Sequence, residues 1–151
     1  MKILVVNGPN LNMLGKRDPK FYSSGTYEDL LKMIGDKALS LDAQVEVFQS
    51  NHEGAIIDRL QDAMEDGTEG LVINPGAFTH YSYAIHDALE ILSFPKIEIH
   101  ISDINSREEF RKVSVTRPAC DGQIVGEGFE GYLHAMEKVA EMILEKTVEN
   151  A

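Results

Sequence analysis

Short runs of leucine and β-branched residues alternate with segments of helical periodicity along the chain, and this alternation restricts the folds open to it. The predicted strands are Ile3 to Val6, Val45 to Phe48, Leu71 to Ile73, Lys96 to Ser102 and Gln123 to Val125. The predicted helices begin after the N-cap Thr26 and then cover Glu53 to Met64, His80 to Leu92 (N-cap Thr79), Arg107 to Lys112 and Tyr132 to Lys146. Strands that alternate with helices at this spacing form βαβ units and therefore a parallel sheet.

Five such strands in 151 residues predict an α/β fold of the flavodoxin-like kind, a three-layer sandwich around a five-stranded parallel sheet of order 2-1-3-4-5. The length indicates a single catalytic domain, residues 1–151, and the glycines and serines around residues 16–25 indicate a lid loop. Ligands of such sheets bind outside the carboxyl ends of the strands, where the strand order reverses. We therefore expect the functional residues just after strands 1, 3 and 4.

Charge and cysteine content exclude several classes of function. The 25 acidic and 14 basic residues give a net charge of −11, which argues against binding to nucleic acid or to an anionic membrane. Apolar stretches are too short to span a bilayer and the first residues lack a secretory apolar region, so we expect a cytoplasmic protein. Cys120 is the one cysteine, and His80, His86 and Asp87 match no standard zinc spacing, so we expect no metal.

Gly126 to Gly131 fits the G-x-G-x-x-G pattern of dinucleotide-binding loops and lies between a predicted strand and a predicted helix. A dinucleotide site needs a further strand with an acidic residue for the ribose, and this sequence does not supply it. Glu127 and Glu130 would also repel a pyrophosphate. The pattern is better explained as a tight turn with close packing of the helix against the strand.

The fourth predicted strand has an unusual polar face. Glu98, His100 and Ser102 share one side of it and isoleucines occupy the other, whereas interior strands of a parallel sheet are usually apolar on both sides. One explanation is an exposed face or a buried network whose hydrogen bonds are all made. The other is a carboxylate–imidazole pair, in which Glu98 orients His100 and favours its protonated form as a general acid.

The loop before the first helix and the short helix near residue 110 each have two interpretations. Tyr22 follows Arg17 by five residues, either as the anchoring aromatic of a solvated basic loop or as a base that the guanidinium favours as tyrosinate. Arg111 lies either on a solvated helix face or inward, where it would bind an anion or hydroxyl groups. The residues alone leave both choices open.

Five ordered blocks of the sequence resemble the type II 3-dehydroquinate dehydratases. The blocks are VVNGPNLNMLGKRDPKFY, FQSNHEGAIIDRLQDA, VINPGAFTHYSYAIHDAL, EIHISDINSREEFRKVS and GQIVGEGFEGY. The resemblance implies a hydro-lyase that converts 3-dehydroquinate to 3-dehydroshikimate by a reversible anti elimination through an enolate, in the shikimate pathway of aromatic amino-acid biosynthesis. It also implies that the enzyme uses no metal or cofactor and forms a dodecamer of four trimers. The alternative is a non-catalytic flavodoxin-like relative that binds a ligand or has a structural role.

The resemblance also implies catalytic roles at five positions. Tyr22 would remove a proton from C2 of the substrate, with Arg17 holding it as tyrosinate. Asn10 would position a water that stabilises the enolate. His100, supported by Glu98, would protonate the departing C1 hydroxyl.

Substrate binding is implied at six further positions, and Arg107 would assist near the lid. These six are Asn74, His80, Ile101, Ser102 and Arg111, together with Asp87 from a neighbouring subunit. The sequence departs from the family pattern at Asp18, where glutamate is usual, and at Ser23, where glycine is usual. These changes affect the predicted lid and leave the chemistry in place.

Overall fold

The computed structural model describes residues 1–16, 18, 20 and 25–151, and it contains one parallel sheet. Its strands are β1 (Lys2–Asn7), β2 (Gln44–Gln49), β3 (Gly70–Asn74), β4 (Lys96–His100) and β5 (Gly122–Val125). They are ordered β2-β1-β3-β4-β5, all in parallel, which confirms the predicted topology. The order reverses between β1 and β3, where Asn7 is the register partner of Asn74.

Two helices cover each face of the sheet, and this completes the predicted three-layer sandwich. The helices are α1 (Tyr27–Ser40), α2 (Glu53–Asp62), α3 (Tyr83–Ile91) and α4 (Glu130–Glu149). One core lies between the sheet and the pair α1 and α4, and it includes Ile3, Val5 and Val139. The other lies beneath α2 and α3 and includes Leu4 and Val6. Adjacent residues of β1 therefore enter opposite cores, which is why the strand is apolar throughout. None of the helices within the described ranges is long and apolar enough to cross a membrane.

The first helix begins as predicted, but the third does not. Thr26 accepts a hydrogen bond from the amide of Asp29 at 3.1 Å, and the Asp29 carboxylate accepts one from the amide of Thr26 at 2.9 Å, which completes a capping box. The prediction of His80 as the first turn of a helix capped by Thr79 is wrong. Gly76–His80 is a separate 3₁₀ turn, and Ser82 caps α3 by accepting from the amide of Ile85. Tyr81, at φ −154° and ψ −5°, interrupts the helical backbone between the two.

Two further differences between predicted and observed elements lie beside predicted site residues. β4 ends at His100 rather than Ser102, because its neighbour β5 ends at Val125, the partner of His100. The amide of Gly126 then turns back and contacts the carbonyls of both His100 and Ser102 at 3.2 Å. The predicted helix from Arg107 to Lys112 is reduced to a 3₁₀ turn over Glu109–Lys112.

Two glycines allow the close approaches on which the site depends. The amide of Gly8 donates to the carbonyl of Asn74 at 2.8 Å, and a Cβ at Gly8 would lie 2.3 Å from the Pro75 carbonyl oxygen. On α4, a Cβ at Gly131 would lie 2.8 Å from Cδ1 of Ile99. The G-x-G-x-x-G pattern therefore serves close packing of a helix on a strand, as predicted.

Candidate active site

A cavity of about 140 Å³ opens at the carboxyl ends of β1, β3 and β4, where the sheet order reverses. Seven of the predicted site residues line it: Asn10, Asn74, His80, His100, Ile101, Ser102 and Arg111. Arg107 joins them, with its Nη1 3.3 Å from the hydroxyl of Ser102. Two guanidinium groups in one small cavity favour an anionic ligand even though the chain as a whole is acidic.

Glu98 and His100 form a buried pair at the base of this cavity. The exposed fraction of Glu98 is 0% and that of His100 is 5%. His100 Nε2 lies 3.0 Å from Glu98 Oε2. Because successive side chains of β4 alternate, residues 98 and 100 share the face that the sequence pattern predicts.

The Glu98 carboxylate accepts hydrogen bonds from three further side chains. Ser114 Oγ lies 3.0 Å and Gln123 Nε2 2.6 Å from Oε2, while the hydroxyl of Thr116 donates to Oε1. Burial on its own would raise the pKa of Glu98, but the hydrogen bond and charge of His100, with the bonds from Thr116 and Gln123, hold that pKa below its usual value. Glu98 is therefore a carboxylate at neutral pH.

This environment determines which nitrogen of His100 can do chemistry. A carboxylate only accepts hydrogen bonds, so Nε2 carries the proton that bonds to Glu98. Nδ1 is the ring nitrogen that Glu98 does not use. When the ring is protonated, Nδ1 carries the transferable proton, so the pair is built as a general acid.

His80 presents a neutral imidazole to the same cavity. Its Nδ1 lies 2.7 Å from the carbonyl oxygen of Val113 and donates to it, which leaves Nε2 as an acceptor. Burial lowers the pKa of His80, and the nearby charges of His100 and Arg111 lower it further. His80 can therefore accept a hydrogen bond from a ligand hydroxyl.

Arg111 is held in place from two sides. Its Nε donates to Glu108 Oε2 at 2.8 Å, and its guanidinium carbon lies 4.7 Å from the ring centroid of Phe110. Of the two interpretations open at this position, the structure adopts the one in which Arg111 lines a cavity.

Asn74 is fixed by a buried hydrogen-bond chain that the sequence analysis missed. Its Nδ2 donates to the hydroxyl of Tyr132 at 2.9 Å, and its Oδ1 accepts from the amide of Gly76 at 3.1 Å. The Tyr132 hydroxyl in turn donates to Oδ1 of Asn7 at 2.7 Å. Tyr132 is fully buried, which raises the pKa of its hydroxyl and keeps it protonated. One N–H of Asn74 is left over after these bonds.

Asn10 reaches the cavity through its backbone conformation. Its φ of 70° lies in the left-handed region, which asparagine tolerates better than most residues. The amide of Asn10 donates to Asn51 Oδ1 at 3.0 Å, which secures the turn after β1.

Of the other predicted site residues, Glu98 lies behind His100, two lie outside the described residues and one is away from the cavity. Arg17 and Tyr22 lie outside the described residues, as does much of the predicted lid. Asp87 is exposed on α3 and is absent from the cavity lining. It lies with His86 and Glu90, whose ligand atoms come within 4.8 Å of one another. His86 already contacts the Val115 carbonyl at 2.7 Å and Glu90 at 3.1 Å, so its nitrogens are engaged and we assign no metal here.

Two kinds of sequence signal could have revealed the missed residues. Gln123 is the register partner of Glu98 in neighbouring parallel strands, so the predicted sheet order already makes them neighbours. Ser114 and Thr116 are two residues apart, as in an extended segment with one polar side. Tyr132 had no such signal, since it falls on the inward stripe of a helix.

Residues 1–140 match the family model described as Dehydroquinase class II. A 3-dehydroquinate dehydratase of Lachnospira eligens is 58% identical over 147 residues, 97% of this chain and 100% of that protein. A 3-dehydroquinate dehydratase of Thermotoga petrophila is 62% identical over 147 residues, which again are 97% of this chain and 100% of that protein. A crystal structure of type II dehydroquinase from Butyrivibrio crossotus, 58% identical, superposes with a TM-score of 0.91 and covers 92% of this chain and 97% of that one. A crystal structure of type II dehydroquinase from Propionibacterium acnes is 41% identical and superposes with a TM-score of 0.84, covering 93% of this chain and 98% of that one.

Proposed function

This chain belongs to the class II dehydroquinases, and we propose from that membership that it removes water from 3-dehydroquinate to give 3-dehydroshikimate, a step of the shikimate pathway. The observation that carries the proposal is the buried Glu98–His100 pair at the base of a small cavity with two arginines. An acid that is set by a carboxylate suits the loss of a hydroxyl group from an anionic substrate.

The reaction divides into two proton transfers. A base removes the proton from C2, next to the ketone, and the electron pair of that bond forms an enolate. The C1–O bond then breaks as the enolate collapses to the conjugated enone, and His100 gives its Nδ1 proton to the leaving hydroxyl to form water. The base ends protonated and His100 neutral, so one proton returns through solvent and none is consumed.

We assign the base to Tyr22, with Arg17 favouring its tyrosinate form, and this assignment rests on the family motif alone. Tyr22→Phe removes the ionisable hydroxyl and keeps the ring. We expect turnover to be abolished while calorimetry still detects substrate binding. Turnover comparable to the unchanged enzyme would remove Tyr22 from this role.

The other cavity residues bind and orient the substrate. His80, as an acceptor at Nε2, and Arg111, as a donor, suit the ring hydroxyls. Ile101 and Ser102 would hold the carboxylate, with Arg107 beside the Ser102 hydroxyl.

Asn10 and Asn74 complete the cavity on the side of β1 and β3. Asn10 would position a water against the enolate oxygen, which gains negative charge as the C2 proton leaves. The spare N–H of Asn74 suits the leaving hydroxyl.

Asp87 is exposed and lies outside its own cavity lining, which fits a residue that serves the site of a neighbouring subunit. We therefore propose that the enzyme acts as an oligomer, a dodecamer of four trimers, in the cytoplasm. The proposed chemistry uses side chains and water, so we expect activity without metal or cofactor.

A direct assay tests the proposal. Purified protein is added to 3-dehydroquinate in the presence of a chelator, and the ultraviolet absorbance of the conjugated enone is followed. We expect absorbance to rise, and to rise equally after borohydride treatment of protein plus substrate, because no lysine Schiff base is involved. A folded protein that gives no absorbance change would favour the non-catalytic relative, and calorimetry would then separate a ligand-binding from a structural role.

A further inference from the structure

We propose that Ser114, Thr116 and Gln123 are positioning residues, which hold Glu98 as a carboxylate so that His100 stays oriented as the acid. The inference rests on the proposed dehydration, in which His100 protonates the leaving hydroxyl. None of the three lines the cavity, so each would act through Glu98 rather than on the substrate.

The first argument is the number of donors around one carboxylate. Four side chains place a donor at the Glu98 carboxylate, and they are unevenly divided between its oxygens. His100, Ser114 and Gln123 bond to Oε2, and Thr116 bonds to Oε1. Ser114, Thr116 and Gln123 are neutral donors, so they stabilise the negative charge of Glu98 without adding a charge of their own beside His100. An ionised Glu98 accepts all four of these bonds, whereas a protonated Glu98 would have to donate its own proton and would lose at least one of them, so the site favours the ionised form.

The second argument is that the segment 113–116 makes hydrogen bonds alternately through its side chains and its backbone carbonyls. The side chains of Ser114 and Thr116 turn toward Glu98, while the carbonyls of Val113 and Val115 accept from His80 and His86. The amide of Val115 also donates to the Thr79 carbonyl at 2.8 Å. One extended segment therefore fixes both the carboxylate behind the acid and the imidazole that faces the substrate.

The third argument concerns the other charges near Glu98. Titratable and charged groups lie around Glu98 and the residues next to it on several elements. Lys96 and His100 are on β4, and His80 lies before α3 with Arg111 beside it. Cys120 lies before β5, with Arg117 and Asp121 near it. Burial raises the pKa of Cys120 to about 12, so the thiol is neutral. Lys96 is occupied by the carbonyls of Leu89 and Leu92, at 2.9 and 2.6 Å. The neutral donors are therefore the groups that contact the carboxylate beside His100.

A matched pair at position 116 tests the proposal. Thr116→Val keeps the shape and removes the hydroxyl, whereas Thr116→Ser keeps the hydroxyl and removes a methyl group. Protonation of Glu98 should give its own acid limb in the kcat profile, at lower pH than the limb set by ionisation of Tyr22. We expect this Glu98 acid limb to move up by about one pH unit in Thr116→Val, with KM little changed, because Glu98 loses a donor. Thr116→Ser should retain the original limb.

Two further variants make the test independent of packing. Ser114→Ala, at a half-buried position, should shift the acid limb in the same direction and remains informative if Thr116→Val does not fold. Thr147→Val, whose hydroxyl bonds to the Ile143 carbonyl on α4, controls for loss of a threonine hydroxyl away from the site. An unchanged acid limb in both Thr116→Val and Ser114→Ala would overturn the proposal, as would a shift in Thr116→Ser as large as that in Thr116→Val.

A readout without substrate separates this proposal from the proposed function. The downfield proton resonance of His100 Nε2–H, bonded to Glu98, can be followed by NMR as pH is lowered. We expect it to be lost at higher pH in Thr116→Val than in the unchanged protein or Thr116→Ser. If the unchanged protein fails to convert 3-dehydroquinate, the proposed function fails while this titration still decides whether the donors control Glu98.

Discussion

Among the described residues, His100 is the one to which we assign a proton transfer in the proposed reaction. His100→Ala removes the proposed acid and leaves the leaving group to depart as hydroxide. We expect kcat to fall by about 10² to 10⁴-fold, the usual contribution of a general acid. Steady-state kinetics on 3-dehydroquinate measures this, and a rate near that of the unchanged enzyme would contradict the role. Glu98→Gln, which keeps the side-chain volume and removes the charge, should lower kcat in the same direction.

A second prediction for a single residue concerns the contribution of the Tyr132 hydroxyl to stability. Tyr132→Phe leaves Asn7 Oδ1 and Asn74 Nδ2 without their buried partner, which should lower the free energy of unfolding by about 1–3 kcal/mol. Urea denaturation measures the loss. Tyr27→Phe is the matched control, because the half-buried Tyr27 hydroxyl accepts from Asn7 Nδ2 at 3.3 Å, at the outer end of the same chain. A loss as large in Tyr27→Phe would contradict the central place of Tyr132.

These residues also show what the sequence could predict. Glu98 and His100 were predictable because alternation along a strand is a local rule. The bond between Tyr132 and Asn7 joins residues 125 positions apart, and the contact forms only when α4 packs across the sheet. A tyrosine on the inward stripe of a helix reads as part of the apolar core, and its hydroxyl partner is a property of the tertiary structure.

At the scale of the elements, the turns that follow β1 and β3 pack in direct backbone contact at Gly8. Gly8→Ala would place a methyl group 2.3 Å from the Pro75 carbonyl oxygen, and backbone cannot move aside as a flexible side chain would. We expect a loss of about 1–3 kcal/mol in unfolding free energy and a fall in activity, because Asn10 and Asn74 lie on the two segments that would separate.

Gly35 on α1 provides the control for that substitution. A Cβ there would meet nothing within 4 Å, so Gly35→Ala should raise the unfolding free energy by roughly 0.5–1 kcal/mol through the better helix propensity of alanine. Both variants are measured by thermal and urea unfolding. Equal stability of the two variants would contradict the close fit at Gly8.

The order of the elements was predictable from the sequence, whereas several of their ends were not. Apolar runs and helical periods define where strands and helices lie, and the βαβ rule then fixes a parallel sheet. The start of α3 was missed because Thr79 and Ser82 are both suitable caps, and the choice depends on the backbone at Tyr81. The end of β4 was missed because it is set by the length of β5, its neighbour.

At the scale of the whole molecule, the free energy of unfolding at low pH depends on an ion cluster beside β2, an edge strand of the sheet. Arg59 Nη2 lies 2.9 Å from both Glu46 Oε2 and Asp66 Oδ2, which ties β2, α2 and the turn before β3 together. Burial would raise the pKa of Asp66, but hydrogen bonds from Thr68 and Arg59 lower it from 3.8 to about 2. The contribution of Asp66 is therefore complete above about pH 4 and is lost as pH falls toward 2.

Asp66→Asn tests this by removing the charge and keeping the shape. We expect the unfolding free energy of the unchanged protein to exceed that of Asp66→Asn by a constant amount above about pH 4. The difference should shrink between about pH 4 and pH 2. A difference that does not vary with pH over this window would contradict the assignment.

The proposed assembly makes a prediction that a single subunit could not satisfy. Asp87→Ala and His100→Ala should each be poorly active alone. If Asp87 serves the neighbouring site, mixed oligomers contain sites with an intact His100 from one subunit and an intact Asp87 from the next. Co-refolding the two variants should therefore restore activity, with light scattering confirming the oligomer. A fully active monomer, or mixtures no more active than their components, would contradict this arrangement.

The spacing of the donors to Glu98 has a consequence for how the enzyme is made. They follow Glu98 in the chain by 16, 18 and 25 residues, and Tyr132 follows Asn7 by 125. A ribosome synthesises the strands that carry the acid before it synthesises the groups that stabilise it. A nascent chain that ends before Gln123 would have to bury a carboxylate with part of its donors missing, so it should leave β4 unpacked. Completion of β5 and α4 is thus the step of synthesis at which the catalytic acid and the native sheet become stable together.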